Sequence, residues 1–177
     1  MKWVIAGLGN PDSHYIGTRH NIGRDFIHSL EKHLGKTAVL ITPDLYMNNS
    51  GVAVKKAVSS IAAAKKLIVL HDEIDLPLGR VKISFGSSAG GHRGVDSIQK
   101  ALKTKDFIRI RIGISPATPA GKIKKPDADD VPDFVLAKFK PAEQEKVKKV
   151  CKRVVNAIDL ILNEGLERAM TEINSKA

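Results

Sequence analysis

Leu67-Ile68-Val69-Leu70-His71-Asp72-Glu73-Ile74-Asp75-Leu76-Pro77 joins four consecutive aliphatic residues to a cluster of four ionisable ones. A run that is apolar at every position, rather than at alternate ones, marks a strand buried on both faces. Such strands belong to sheets sandwiched between helices, and sites gather beyond their carboxyl ends. The stretch therefore predicts both a fold class and a place to look for chemistry.

Further apolar segments extend the pattern outward. Trp3-Val4-Ile5-Ala6 is a second short buried run, and residues 37–41 form a third. Residues 80–85 alternate like a half-exposed strand. In 107–114, Ile108, Ile110 and Ile112 face one way while Arg109 and Arg111 face the other. Between these runs Ile22, Phe26, Ile27, Leu30 and Leu34 recur at helical spacing, with Asn21 placed to cap and Gly35 to stop the helix. Asn49 or Ser50 opens a helix carrying Val54, Ala57, Val58 and Ile61, and 95–102 is a third. A long amphipathic helix over 141–163 carries Val147, Val150, Cys151, Val154, Ile158, Ile161 and Leu162 on its apolar face. Strands alternating with helices predict an α/β fold, a single domain over 1–177 with a twisted mixed β-sheet covered by helices on both faces. Residues 115–132, rich in Pro, Gly, Lys and Asp, show no periodicity and are expected to form a lid loop.

Composition narrows the function classes. At 177 residues, 42% hydrophobic and 27% charged, the chain is expected to be globular rather than disordered. No apolar run approaches the roughly 20 residues of a membrane span, and the apolar start is too short for a signal peptide. The single Cys151 permits no internal disulfide and no multi-thiolate zinc site, which points to a reducing, cytoplasmic location. Twenty-nine Lys and Arg against 19 Asp and Glu leave a net charge of +10. That excess favours a polyanionic partner through long-range attraction and counterion release.

Five short motifs are candidates for chemistry. Gly7-Leu8-Gly9-Asn10-Pro11 follows a buried strand, but Asp12 stands where a dinucleotide loop needs its third glycine. Its glycines instead turn the chain sharply and present the two-sided amide of Asn10. Thr18-Arg19-His20-Asn21 opens a helix, whose dipole disfavours imidazolium and so makes His20 a plausible general base. His71, Asp72, Glu73 and Asp75 admit a metal site or an acid that orients a histidine, although Pro77 and the tight spacing make joint ligation awkward. Residues 86–94 form a glycine-rich loop able to hold a phosphate at the next helix. Tyr46-Met47-Asn48-Asn49-Ser50-Gly51 is an amide-rich corner.

Taken in order, these motifs resemble bacterial-type peptidyl-tRNA hydrolase. The resemblance runs through Gly7-x-Gly9-Asn10-Pro11, Tyr15-x-x-Thr18-Arg19-His20-Asn21-x-Gly23 and Met47-Asn48-x-Ser50-Gly51. It continues through His71-Asp72-Glu73-x-Asp75-Leu76-Pro77-x-Gly79, Gly90-Gly91-His92-x-Gly94 and Arg109-x-Arg111-Ile112-Gly113-Ile114, covering most of 1–140. It implies hydrolysis of the ester between peptide and tRNA, in the cytoplasm, by a monomer with no cofactor and no metal. It implies His20, Asp72 and Asn10 as the catalytic set: His20 activates water, Asp72 orients the imidazole, and Asn10 with Asn48 holds the peptide backbone and reacting carbonyl. Tyr15, Met47, Asn48, His92 and Arg93 would line the substrate pocket, and Lys82 and Arg111 would contact tRNA phosphate. Four departures stand out. Arg93 replaces the family's usual asparagine, 35–47 is shorter, 115–132 is longer and more charged, and Ser84 stands where relatives often carry lysine. A non-catalytic RNA-binding relative and a metal-dependent hydrolase using His71, Asp72 and Asp75 are the competing readings.

Overall fold

In the computed structural model, which describes residues 2–175, the chain builds one five-stranded sheet with helices on both faces. In chain order the elements are β1 (Trp3–Gly7), α1 (Ile22–Leu34), β2 (Ala38–Ile41), α2 (Ser50–Ala57), α3 (Ile61–Ala64), β3 (Leu67–Pro77) and β4 (Val81–Phe85). There follow α4 (Arg93–Leu102), β5 (Ile108–Ser115), α5 (Val131–Leu136), α6 (Gln144–Glu164) and α7 (Leu166–Ser175). The strand order is β2-β1-β3-β5-β4. Four strands run parallel, and β4 returns antiparallel against β5.

Strand alternation divides the core in two. Ile5, Ile68, Leu70, Ile108, Ile110 and Ile112 face a layer made by α1, α6 and α7. Val4, Ala6, Leu67 and Val69 face the opposite layer of α2, α3 and α4, where Met47, Val54, Val95 and Ile98 are buried. β3 is apolar throughout its first four residues because it is central and covered on both sides. It also runs further than its apolar stretch: His71–Pro77 continues the strand past the Leu67–Leu70 run that the sequence pattern marks. The ladder to β5 carries this polar half, pairing His71 with Arg111 and Asp72 with Ile112.

Beyond Gly165, which takes φ 90° and breaks the helix, α7 folds back onto β4. Its Asn174 accepts from Ile83 N–H (2.8 Å) and donates to Ile83 C=O (3.0 Å), which closes the sheet's β4 edge. Sequence periodicity alone ends the last helix at 163, so α7 is an addition. Segment 115–132 also holds more structure than a plain loop. A bridge joins Ala117 to Ile123, a 3-10 turn spans Ala128–Asp130, and α5 begins at Val131.

The first turn of α1 packs directly onto the ends of β1 and β3. A Cβ on Gly23 would stand 2.3 Å from the carbonyl oxygen of Leu70, and one on Gly7 would stand 2.4 Å from that of Gly23. Both obstructing atoms are backbone, so neither can rotate away. Gly23→Ala is expected to destabilise the fold by about 3 kcal/mol, read from urea unfolding, because the helix must back off the sheet. An unchanged midpoint would refute this account of the packing.

Candidate active site

The turn after β1 carries the first component. Leu8 N–H donates to Leu70 C=O (3.0 Å) and Arg24 N–H to Leu8 C=O (2.9 Å), fixing the chain between sheet and helix. Asn21 does not cap α1 through its side chain. Its amide instead clamps the backbone of Asn10, accepting from Asn10 N–H and donating to Asn10 C=O, both at 2.9 Å. Asn10 Oδ1 accepts from Met47 N–H (2.8 Å), which joins this turn to the corner ahead of α2. The expected two-sided amide is thus half committed, and Asn10 keeps its Nδ2 donors for a ligand.

His20 and Asp72 meet in the next layer, although 52 positions separate them. His20 Nδ1 lies 2.9 Å from Asp72 Oδ1 and 3.0 Å from Oδ2. An ionised carboxylate only accepts, so Nδ1 carries the proton and Nε2 holds the free lone pair. Asp72, 4% exposed, takes a second donor from His92 Nε2 at 2.9 Å. The other nitrogen of His92 accepts from Gly94 and Val95 N–H at the start of α4 (3.2 and 3.3 Å). Those amides are therefore spent on an internal cap, and the expected phosphate cradle at this helix is not available. His92, expected to bind substrate, does line the cleft, with both its ring nitrogens engaged by protein partners.

The electrostatics follow from this geometry. Burial opposes charge on Asp72, but the charges of His20 and His92 and their hydrogen bonds hold its carboxyl well below the usual range. For His20, burial disfavours imidazolium and the Arg93 guanidinium adds to that. The Asp72 charge and hydrogen bond outweigh both, and the net pKa is raised. The helix-dipole expectation, which favours the neutral ring, is overridden by the neighbouring carboxylate.

His71 does not join as a ligand. It is fully buried, donates from Nδ1 to the backbone carbonyl of Asp72 (2.8 Å), and leaves Nε2 without a partner. Burial holds it neutral, far below its ordinary pKa. Its ring packs edge-on against His92 at 4.7 Å, buttressing that ring. Glu73 pairs with Arg111 Nε (2.9 Å) and Asp75 with Lys125, so the four ionisable residues of 71–75 diverge. His20, Asp72 and His92 are the described residues whose ligand atoms come together, within 4.8 Å. There the nitrogens that would ligate an ion already donate to the carboxylate, an arrangement suited to moving a proton rather than holding a cation.

A cleft of about 630 Å³ opens over this cluster. Asn10, His20, Asn48, Asp72 and Arg93 form its polar part, and Met47, Ile74, Val131, Val135 and Leu136 its apolar wall. Met47 is buried and Asn48 exposed. Tyr15 does not line the cleft; it sits in a 3-10 turn stacked on His14, and Tyr46 occupies the rim instead. Tyr46, whose hydroxyl donates to Asp12 (2.7 Å), was visible in the 46–51 motif but unassigned. The α5 wall carries no period long enough to read from sequence.

Arg19, adjacent to His20, explains how α5 is held. Its buried guanidinium donates to Ile114 C=O (3.2 Å) and Glu143 (2.8 Å), and lies over the rings of Phe134 and Phe139 at 4.8 and 4.7 Å. Arg109, equally buried, donates to Ser87 Oγ and to Ser88 C=O (2.9 Å), pinning the 86–94 loop. Lys82 and Arg111 stand outside the cleft, opposite each other on β4 and β5.

Comparison with known proteins agrees with this architecture. The family model for peptidyl-tRNA hydrolase matches residues 4–177. The peptidyl-tRNA hydrolase of Thermodesulfovibrio yellowstonii is 38% identical, over 97% of this chain and 98% of that protein. That of Pseudothermotoga lettingae is 37% identical, over 97% and 96%. The crystal structure of peptidyl-tRNA hydrolase from Acinetobacter baumannii superposes with a TM-score of 0.84 at 28% identity, covering 98% of this chain and 94% of that one. With a full-length family match, near-complete coverage and a shared fold, the chain belongs to the peptidyl-tRNA hydrolase family.

Proposed function

We propose that the cleft hydrolyses the ester joining a peptide to the terminal ribose of tRNA, with His20 as general base and Asp72 as its orienting partner. The observation that carries this reading is the His20–Asp72 contact at 2.9 Å, which leaves Nε2 as the ring's free acceptor on a residue lining the cleft. Water bound to Nε2 loses a proton to the imidazole as its oxygen attacks the ester carbonyl. The imidazolium, steadied by Asp72, then returns the proton to the departing ribose oxygen. Asn10 Nδ2 donates to the carbonyl oxygen as it gains charge, and the exposed Asn48 amide pairs with the peptide backbone. None of the described lining residues is Ser or Cys, which suits direct attack by water. Cys151 lies along α6, packed against the core.

Lys82 and Arg111 would take tRNA phosphates, supplying affinity without reading sequence. Their opposed positions across β4 and β5 suit one stretch of backbone. The net charge of +10 supports the same partner. The lone cysteine supports a cytoplasmic setting, and the family resemblance supports action as a single chain. Among the described residues no helix is long and apolar enough to cross a membrane. A purely RNA-binding role gains no support from a site in which His20, Asp72 and Asn10 stand together.

Purified protein is expected to release N-acetyl-amino acid from N-acetyl-aminoacyl-tRNA, equally well with and without chelator. His20→Ala is expected to lower kcat by about 100-fold or more, the size of a lost general base. A variant that cleaves as fast as the parent would remove His20 from the mechanism, and chelator sensitivity would revive the metal reading. Arg111→Ala is expected to weaken binding of all tRNAs alike, and to flatten the slope of log affinity against log salt by about 1. A loss confined to one tRNA species would contradict a phosphate contact.

A further inference from the structure

Arg93 is a cation without an evident structural reason. It begins α4, where the helix dipole is positive and a basic side chain costs stability. It is exposed, lines the cleft, and forms no hydrogen bond or ion pair with another described residue. The two carboxylates that share its cleft lining are engaged elsewhere, Asp72 with His20 and His92 and Glu73 with Arg111. A residue that violates a local stability rule beside a site is where function is expected to supply the compensation.

We propose that Arg93 makes the acyl subsite select by charge, so that peptidyl-tRNAs ending in an acidic residue are preferred over those ending in a basic one. This rests on the proposed hydrolase reading. The ester carbonyl must sit within reach of a water on His20 Nε2, so the residue esterified to tRNA lies beside His20. Its side chain leaves the Cα next to that carbonyl, which keeps a terminal charge within about 8 Å of the reacting centre. Arg93 lines the same cleft as His20, so its charge faces that position. Asp72 and the Arg111-paired Glu73 are the acidic groups of the lining, and a cationic substrate side chain would be drawn to Asp72. Arg93, the basic side chain of the same lining, offsets that attraction where solvent only partly screens it. The selection is therefore made in binding, between ground-state charges.

The test uses one tRNA body carrying N-acetyl-Glu, N-acetyl-Gln or N-acetyl-Lys, with kcat and KM measured separately for each. The parent protein is expected to rank Glu above Gln above Lys, with a Glu-to-Lys ratio in kcat/KM of about tenfold, carried by KM and shrinking at high salt. Arg93→Lys should keep the ranking, Arg93→Gln should bring the ratio near one, and Arg93→Glu should invert it. As Arg93 is exposed at a helix start, these variants are expected to fold. Equal rates on all three substrates with the parent, or an Arg93→Gln protein that sorts them as the parent does, would overturn the proposal and leave the hydrolase reading standing. Failure of the parent to cleave even the Gln substrate would remove that reading, and this proposal with it.

Discussion

A carboxylate drawn almost completely out of water must find its hydrogen-bond donors in the protein or lose its charge. Asp72 finds two, His20 Nδ1 and His92 Nε2, and the surrounding fold can be understood as what brings them there. β3 delivers Asp72 because it continues past its apolar half. The turn ahead of α1 delivers His20, and its approach to the sheet depends on Gly7 and Gly23, where no Cβ fits. The start of α4 delivers His92, whose second nitrogen is held by two helix amides and whose ring rests on His71. Each histidine is left a single tautomer by its partners. That is how three imidazoles within one small volume acquire three different tasks: His20 keeps a free lone pair, His92 supports, and His71 remains neutral filler.

The same logic orders the periphery. Asn21, which makes no side-chain cap for α1, is spent on the Asn10 backbone and so fixes a residue of the cleft lining. Arg19 ties α5 and the segment before α6 to the His20 turn by one guanidinium between two rings and a carboxylate. The apolar cleft wall and the His20–Asp72 floor are therefore linked through the adjacent residues Arg19 and His20. A substitution at Arg19 would be felt in both.

What could be read from sequence, and what could not, follows from the range of the interactions. The buried strands and α1 were legible because burial on two faces or on one stripe leaves a local period. The site residues were legible mainly through their combination, since no single motif specifies that His20 and Asp72 touch. The dipole at the helix start, which disfavours imidazolium at His20, is visible locally, whereas the carboxylate 52 positions away, which raises its pKa, is not. The family resemblance implies Tyr15 in the pocket, whereas the structure sets it in a 3-10 turn outside the cleft lining. α7 had a readable period in Leu166, Ala169, Met170 and Ile173, obscured by the break at Gly165. α5 is six residues long and had none.

In the proposed mechanism a neutral His20, held by ionised Asp72, takes the proton from water. This step is tested most directly by measuring the His20 pKa by NMR titration alongside the pH dependence of kcat/KM. The acidic limb of the rate profile is expected to fall at the titrated His20 value, above the ordinary 6.5, and Asp72→Asn to move both downward together, since burial then acts without its counterweight. A rate profile flat through the His20 titration, or a limb that stays put while the Asp72→Asn titration shifts, would contradict it.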